Sequence, residues 1–414
     1  MRVLQVHTTD RGGGAQVIAT VLAEALRARG HDAGLAVGFK RTGRDDVVEL
    51  PSGANPMIRA GRRLGGRAGY ALELAGAPRR AHAYWQGHED FEHPGTARLL
   101  ELGPRPDVVH LHNLHGNYFD LRELPSISAG VPTVLTLHDT WLLAGHCGYS
   151  MGCERWRTGC GDCPDLTLYP AIRRDATAHN FGVKRDIYER SRLHIVAPSQ
   201  WVHDCAAESM LAAGAASLRV INNGVDLDVF APGSREEARR VLGLDPKARI
   251  VLAAGNASAA NPYKDFATLE RVAARLEDTT VLVVGDSGEP RGNLRFAGTV
   301  PSPAELVPYY RAADAFLQAA RADTFPNTVI EALACGAPVV GTDIGGIPEQ
   351  VQAGVTGELA PAGDDAALAA AVERVLVERD RMSAAAAADA RARFGLERMV
   401  GGYLDLYAEI TSAS

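Results

Sequence analysis

Apolar and polar positions alternate at the start of the chain, where Val3-Leu4-Gln5-Val6-His7 predicts a short strand. A turn over Asp10 to Gly14 follows. Gln16 to Leu26 then places apolar residues at helical spacing, closed by Gly30. Ala33 to Gly38 predicts a second strand, completing the strand–helix–strand unit of a parallel sheet. Further strands are expected over 107–111, 132–138 and 194–198, with helical stretches between several of them. A second series begins after Leu218 to Gly224, with strands expected over 250–255, 280–285, 315–318 and 338–341 and a helix over 266–276. Two successive α/β series predict two Rossmann-like domains with a boundary between Pro198 and Pro232. Ligands of such sheets bind outside the carboxyl ends of the strands, so a cleft between the domains is expected.

Length and composition agree with this. At about 150 residues per domain, 414 residues give two or three domains. Hydrophobic residues make up 46%, which argues against a disordered, collagen-like or disulfide-knot protein. A net charge of −7 gives no support to nucleic-acid binding by bulk positive charge. No signal-like start and no uncharged run of about 18 apolar residues is present, so a cytoplasmic protein is expected.

The most informative stretch runs from Arg321 to Pro338. Pro326 suits the first turn of a helix, Gly336 its left-handed end, and Pro338 stops continuation. The amides at the start of that helix would suit a phosphate. Asp323 precedes the helix and Glu331 lies within it, so the two carboxylates could accept hydrogen bonds from separate polyol groups. The bland alternative is a solvated Asp and a helix-surface Glu.

Asp323-x7-Glu331, with Phe-Pro-Asn-Thr-Val-Ile-Glu-Ala around it, resembles the acidic-x7-Glu signature of retaining glycosyltransferases of family 4, which have the GT-B fold. The resemblance covers nearly the whole chain. It includes the glycine turn Gly12 to Gly14, the crossing segment Asn223 to Pro232, Lys264, and Gly341 to Glu349. It implies an N-terminal acceptor domain over 1–214, a C-terminal nucleotide-sugar donor domain over 215–395, and a helix over 396–414 returning to the N-terminal domain. It also implies site roles. Glu331 would bind the ribose hydroxyls of a nucleotide-diphosphate sugar, Asp323 would meet the donor sugar, and amides near Asn327 and Thr328 would hold the diphosphate. Lys264 would neutralise the leaving group, His138 would stand beside sugar and diphosphate, and Gly13 and Gly14 would let main-chain amides approach. No protein nucleophile is then required, and the leaving phosphate takes the acceptor proton.

The sequence departs from the family at one point. Many members carry an Arg a few residues before the Lys, whereas the segment here reads Gly255-Asn-Ala-Ser-Ala-Ala-Asn-Pro-Tyr-Lys264. Asn256, Ser258, a main-chain amide, or Arg321 from another loop would have to substitute. Asp226-Leu-Asp228 belongs to the crossing segment and is read as structural, so no catalytic divalent metal is expected. His110, His112 and His115 could line the acceptor side or form a polar loop, and His138 is favoured over them.

Four of the six Cys fall in one segment, 146–164: Cys147, Cys153, Cys160 and Cys163. The terminal C-x2-C suits a structural zinc, with disulfides, packed thiols and a redox dithiol as alternatives. Between Met57 and Trp85, six Arg (59, 62, 63, 67, 79 and 80) accompany one Glu. This run reads either as solvated surface helices or as a peripheral membrane patch. Taken together, the expectation is a retaining, metal-independent glycosyltransferase acting on a hydroxyl acceptor such as a glycan, lipid-linked sugar or small metabolite. The alternatives are a nucleotide-sugar epimerase or hydrolase on a similar scaffold, and a non-catalytic zinc-containing nucleotide-binding subunit.

Overall fold

The computed structural model describes residues 1–52, 55–255 and 261–412. The chain divides into two compact units, 1–221 together with 403–414, and 222–402. Each contains one all-parallel sheet.

The first sheet comprises β1 (Arg2–Thr9), β2 (Asp32–Phe39), β3 (Val47–Glu49), β4 (Val108–Leu111), β5 (Thr133–Thr136), β6 (Leu193–Ala197) and β7 (Ala215–Val220). Its strand order is β3-β2-β1-β4-β5-β6-β7. The second comprises β8 (Arg249–Ala254), β9 (Thr279–Val284), β10 (Leu294–Gly298), β11 (Ala315–Gln318), β12 (Val339–Thr342) and β13 (Gly357–Ala360), in the order β10-β9-β8-β11-β12-β13. Both sheets grow outward in one direction from their first strand and then reverse. The reversal falls between β1 and β4 in one unit and between β8 and β11 in the other, and ligands of doubly wound sheets bind at such points.

The parallel sheet of the second unit is covered on both faces, as its sequence requires. Successive residues of a strand point to opposite sides. Leu252, Phe316 and Val339 therefore join one core with Ile330, while their neighbours Val251, Leu317 and Val340 join the other with Leu368 and Val372.

The first sheet differs. Val6, Val109, Leu111, Leu135 and Ile195 pack into an apolar core, yet Gln5, His7 and His110, from β1 and β4, and His112 just after β4 are fully buried polar residues. His110 Nδ1 lies 2.7 Å from the Tyr407 hydroxyl and its Nε2 lies 2.7 Å from Thr136 Oγ1, which is 3.0 Å from the Tyr403 hydroxyl. Both tyrosines come from the last helix, Leu396–Ser412, which begins in the second unit and ends in the first. Buried polar groups need such partners. Among the described residues no helix is long and apolar enough to cross a membrane.

Candidate functional site

In the second unit the named residues gather at the carboxyl ends of β8 and β11. Lys264 follows β8 in the sequence, and Asp323 follows β11. Lys264 Nζ donates to Asp323 Oδ2 at 2.7 Å. Asp323 is held on all sides. Its Oδ1 accepts the Phe325 amide at 3.2 Å, and its carbonyl accepts the Gly346 amide at 3.2 Å. Gly345, at φ +56°, passes so close that a Cβ there would stand 2.1 Å from the Asp323 carbonyl oxygen, so glycine at that position is a steric requirement of this loop.

Lys264 is positioned by its neighbour. Asp265 sits in the left-handed region at φ +47° and caps the helix Phe266–Arg275 through the Thr268 amide. Its Oδ2 also accepts Arg321 Nε at 2.8 Å. Arg321 therefore does come from the β11 loop to the residue beside Lys264, with half of its side chain exposed. Asn256 and Ser258 lie outside the described residues.

The helix Asn327–Ala334 starts one residue later than Pro326 suggests. Pro326 is its N-cap, without a side-chain cap, and Gly336 at φ +80° follows its end. Asn327 and Thr328 are half-buried at the uncapped N-terminus, where partial positive charge favours an anion. Gln350 Nε2 donates to the Pro326 carbonyl at 3.0 Å and Asn223 Nδ2 donates to Asn327 Oδ1 at 2.9 Å, which fixes the helix entry. Glu331 accepts a 2.7 Å hydrogen bond from the Tyr310 hydroxyl. Burial pushes its carboxyl up to about 7, with the Tyr310 bond pulling the other way. Burial in turn pushes the Tyr310 phenol well above its usual range, with Glu331 adding to it.

In the first unit, Gly13 is the N-cap of the helix Gly14–Ala28 and supplies no side-chain cap. His138 lies two residues beyond β5. Its Nε2 is 2.8 Å from His112 Nδ1, and His112 Nε2 is 2.7 Å from Gln5 Oε1. Gln5 Oε1 can only accept, so His112 carries its proton on Nε2 and takes the Nε2–H of His138. Burial lowers His138 to about 4, which keeps it neutral. His110 and His112 belong to this buried network and not to a polar loop. His115, by contrast, pairs with Asp139 at 2.6 Å and lies 3.4 Å from the Tyr169 hydroxyl.

The four thiols Cys147, Cys153, Cys160 and Cys163 are free. They line one cavity of about 30 Å³ together with His146. His146 Nε2 stands 3.4 Å from Cys163 Sγ, and Cys160 Sγ accepts the Gly145 amide at 3.3 Å. Among the described residues no three His, Cys, Asp or Glu are grouped closely enough to hold a metal ion as they stand.

Sequence reasoning passed over Tyr310, Asn223 and Asp139 as site residues. Tyr310 lies on a separate helix, Pro303–Ala312, and nothing in its local pattern ties it to Glu331. Asn223 and Asp139 did carry a signal, because Asn223 opens the crossing segment and Asp139 stands beside His138.

A model described as Glycosyltransferase Family 4 matches residues 12–229, and one described as Glycosyl transferases group 1 matches residues 248–378. The chain is 34% identical to D-inositol 3-phosphate glycosyltransferase 1 of Catenulispora acidiphila over 345 residues, 75% of this chain and 74% of that protein. It is 34% identical to the D-inositol 3-phosphate glycosyltransferase of Mycolicibacterium smegmatis over 209 residues, 47% of this chain and 48% of that relative, about half its length. Among solved structures, Anabaena HepE in complex with UDP-glucose superposes with a TM-score of 0.65 at 19% identity, covering all of both chains. That likeness establishes a two-domain α/β fold of the GT-B type.

Proposed function

The chain belongs to glycosyltransferase family 4, and on that premise we propose that it transfers a glycosyl group from a nucleotide-diphosphate sugar to a hydroxyl acceptor with retention of configuration. The observation that carries this reading is the 2.7 Å Lys264–Asp323 pair at the carboxyl ends of β8 and β11, next to the uncapped helix of Asn327 and Thr328. Lys264 and the helix amides take the negative charge that grows on the diphosphate as the bond from C1 to the phosphate oxygen breaks. Charge stabilisation of this kind is commonly the largest catalytic contribution. Asp323 accepts from donor-sugar hydroxyls, and ionised Glu331 accepts from the ribose. The acceptor oxygen bonds C1 on the same face, and its proton passes to the leaving phosphate oxygen. On the family resemblance His138 and the Gly13 and Gly14 turn are assigned to the donor as well; His138, neutral with its Nε2–H given to His112, keeps Nδ1 as an acceptor for a sugar hydroxyl. No step is routed through a metal ion.

UDP is the first donor nucleotide to try, because HepE was solved with UDP-glucose. Thermal-shift titration with UDP, GDP and ADP should raise the melting temperature with at least one of them, since a ligand of the folded state stabilises it. Absence of any shift defeats the donor assignment. NMR of the product anomer then decides retention, and an inverted product rejects it.

We propose separately that Cys147, Cys153, Cys160 and Cys163 hold a structural zinc. The donor set suits a soft metal, and the cavity has room for one ion. The proposal requires these side chains to draw inward on binding.

A further inference from the structure

The arginine-rich stretch of the first unit folds into three consecutive helices, Pro56–Leu64, Gly66–Ala75 and Pro78–Gln86. Glycine there does not prevent helix formation. It divides one long helix into two at Gly65 (φ +66°) and lets the two pack tightly, because a Cβ on Gly61 would lie 2.5 Å from the Gly69 carbonyl oxygen and one on Gly69 2.4 Å from that of Gly61. The inner side of the group is electrically settled. Glu73, the one acidic residue of the stretch, is buried with Arg80 at 3.4 Å, and Arg80 also pairs with Asp90 at 2.7 Å.

The outer side has no such balance. Arg59, Arg63, Arg67 and Arg79 are exposed, and among the described residues none of them forms an ion pair. Interleaved with them are large exposed apolar side chains: Leu64 at 64%, Trp85 at 54% and Met57 at 40%. Arg173, from a later loop, stacks over the Trp85 ring at 4.3 Å and adds another exposed cation. Unpaired cations beside exposed apolar groups form a two-part surface, in which charge attracts anionic headgroups and the side chains Leu64 and Trp85 enter the interface.

We infer that the outer faces of these three helices dock on an anionic lipid surface. The apolar groups favour a membrane over a soluble polyanion, for which exposed Leu64 and Met57 would have no use. This inference does not depend on the transfer reaction.

The test is co-sedimentation of the full chain with phosphatidylcholine vesicles with and without phosphatidylglycerol, at low and high salt. Binding is expected only to the anionic vesicles and should weaken with salt. The triple variant Arg59→Gln, Arg63→Gln, Arg67→Gln should lower the partition coefficient on the order of a hundredfold, at about fivefold per arginine. Leu64→Ser with Trp85→Ala should lower binding to the same vesicles at unchanged charge. Circular dichroism and nucleotide thermal shift should match the parent chain for both variants. No binding to anionic vesicles, or equal binding by the arginine variant, overturns the inference. So does tighter binding to a short DNA duplex than to vesicles, with the apolar variant indistinguishable from the parent.

Discussion

Tyr310 donates its hydroxyl hydrogen to Glu331 Oε2 at 2.7 Å, so a carboxyl raised by burial to about 7 keeps one fixed partner. The unfolded chain titrates this group near its usual 4.5. Between those values the folded state holds the extra proton, so it loses stability as pH rises from 4.5 through 7 and carries the full penalty above 7. Glu331→Gln, which still accepts from Tyr310, should therefore be stabilising at pH 8 by on the order of 2 kcal/mol and near neutral at pH 4.5. It should also weaken nucleotide binding about tenfold at pH 8. Denaturant melts at the two pH values check the first outcome and calorimetric titration with UDP the second. Unchanged binding removes Glu331 from the nucleotide site.

Lys264→Ala should lower kcat by roughly a hundredfold to a thousandfold, as expected for loss of one charge-stabilising donor. It leaves Asp323 without its cation, so Lys264→Arg is the companion variant and should restore part of the rate. A product assay with a competent donor measures both. A Lys264→Ala enzyme of parental rate would mean that Arg321 or the helix amides suffice.

Five histidines of the first unit are buried and neutral. His7 is lowered to about 3, His93 and His138 to about 4, and His110 and His112 well below their usual range, burial being the first cause in each. The unfolded chain binds these protons near 6.5, so stability is lost as pH falls from 6.5 towards 4. The melting temperature should drop steeply across that window, with uptake of at least about three protons on unfolding near pH 5. A flat profile would contradict the buried network.

The proposed zinc site predicts about one equivalent of zinc in protein purified without chelator, and a lower melting temperature after chelation. Cys147→Ser and Cys163→Ser should each reduce the metal content. Less than about half an equivalent in the parent protein rejects the site.

Elements with a long apolar run were legible in the sequence, since β1, β8, β9 and the helix Gly14–Ala28 announce themselves by periodicity. β3, β10 and β13 were not foreseen. β3 and β13 are three and four residues long, and all three are edge strands, paired on one side only. The site divides in the same way. Asp323 and Glu331 lie eight positions apart and read as a pair, whereas Tyr310 meets Glu331 only through the packing of two helices. The buried polar position of His110 was also illegible, because its partner Tyr407 stands 297 residues away.

That distance has a biosynthetic meaning. The sheet of the first unit leaves the ribosome before residues 222–402, but the tyrosines that complete its buried hydrogen bonds follow them. Until they arrive, His110 and Thr136 lack those hydroxyl partners and must be met by water or left costly. The first unit is thus begun before the second and completed after it, and a nascent chain stalled before residue 403 would carry it incomplete.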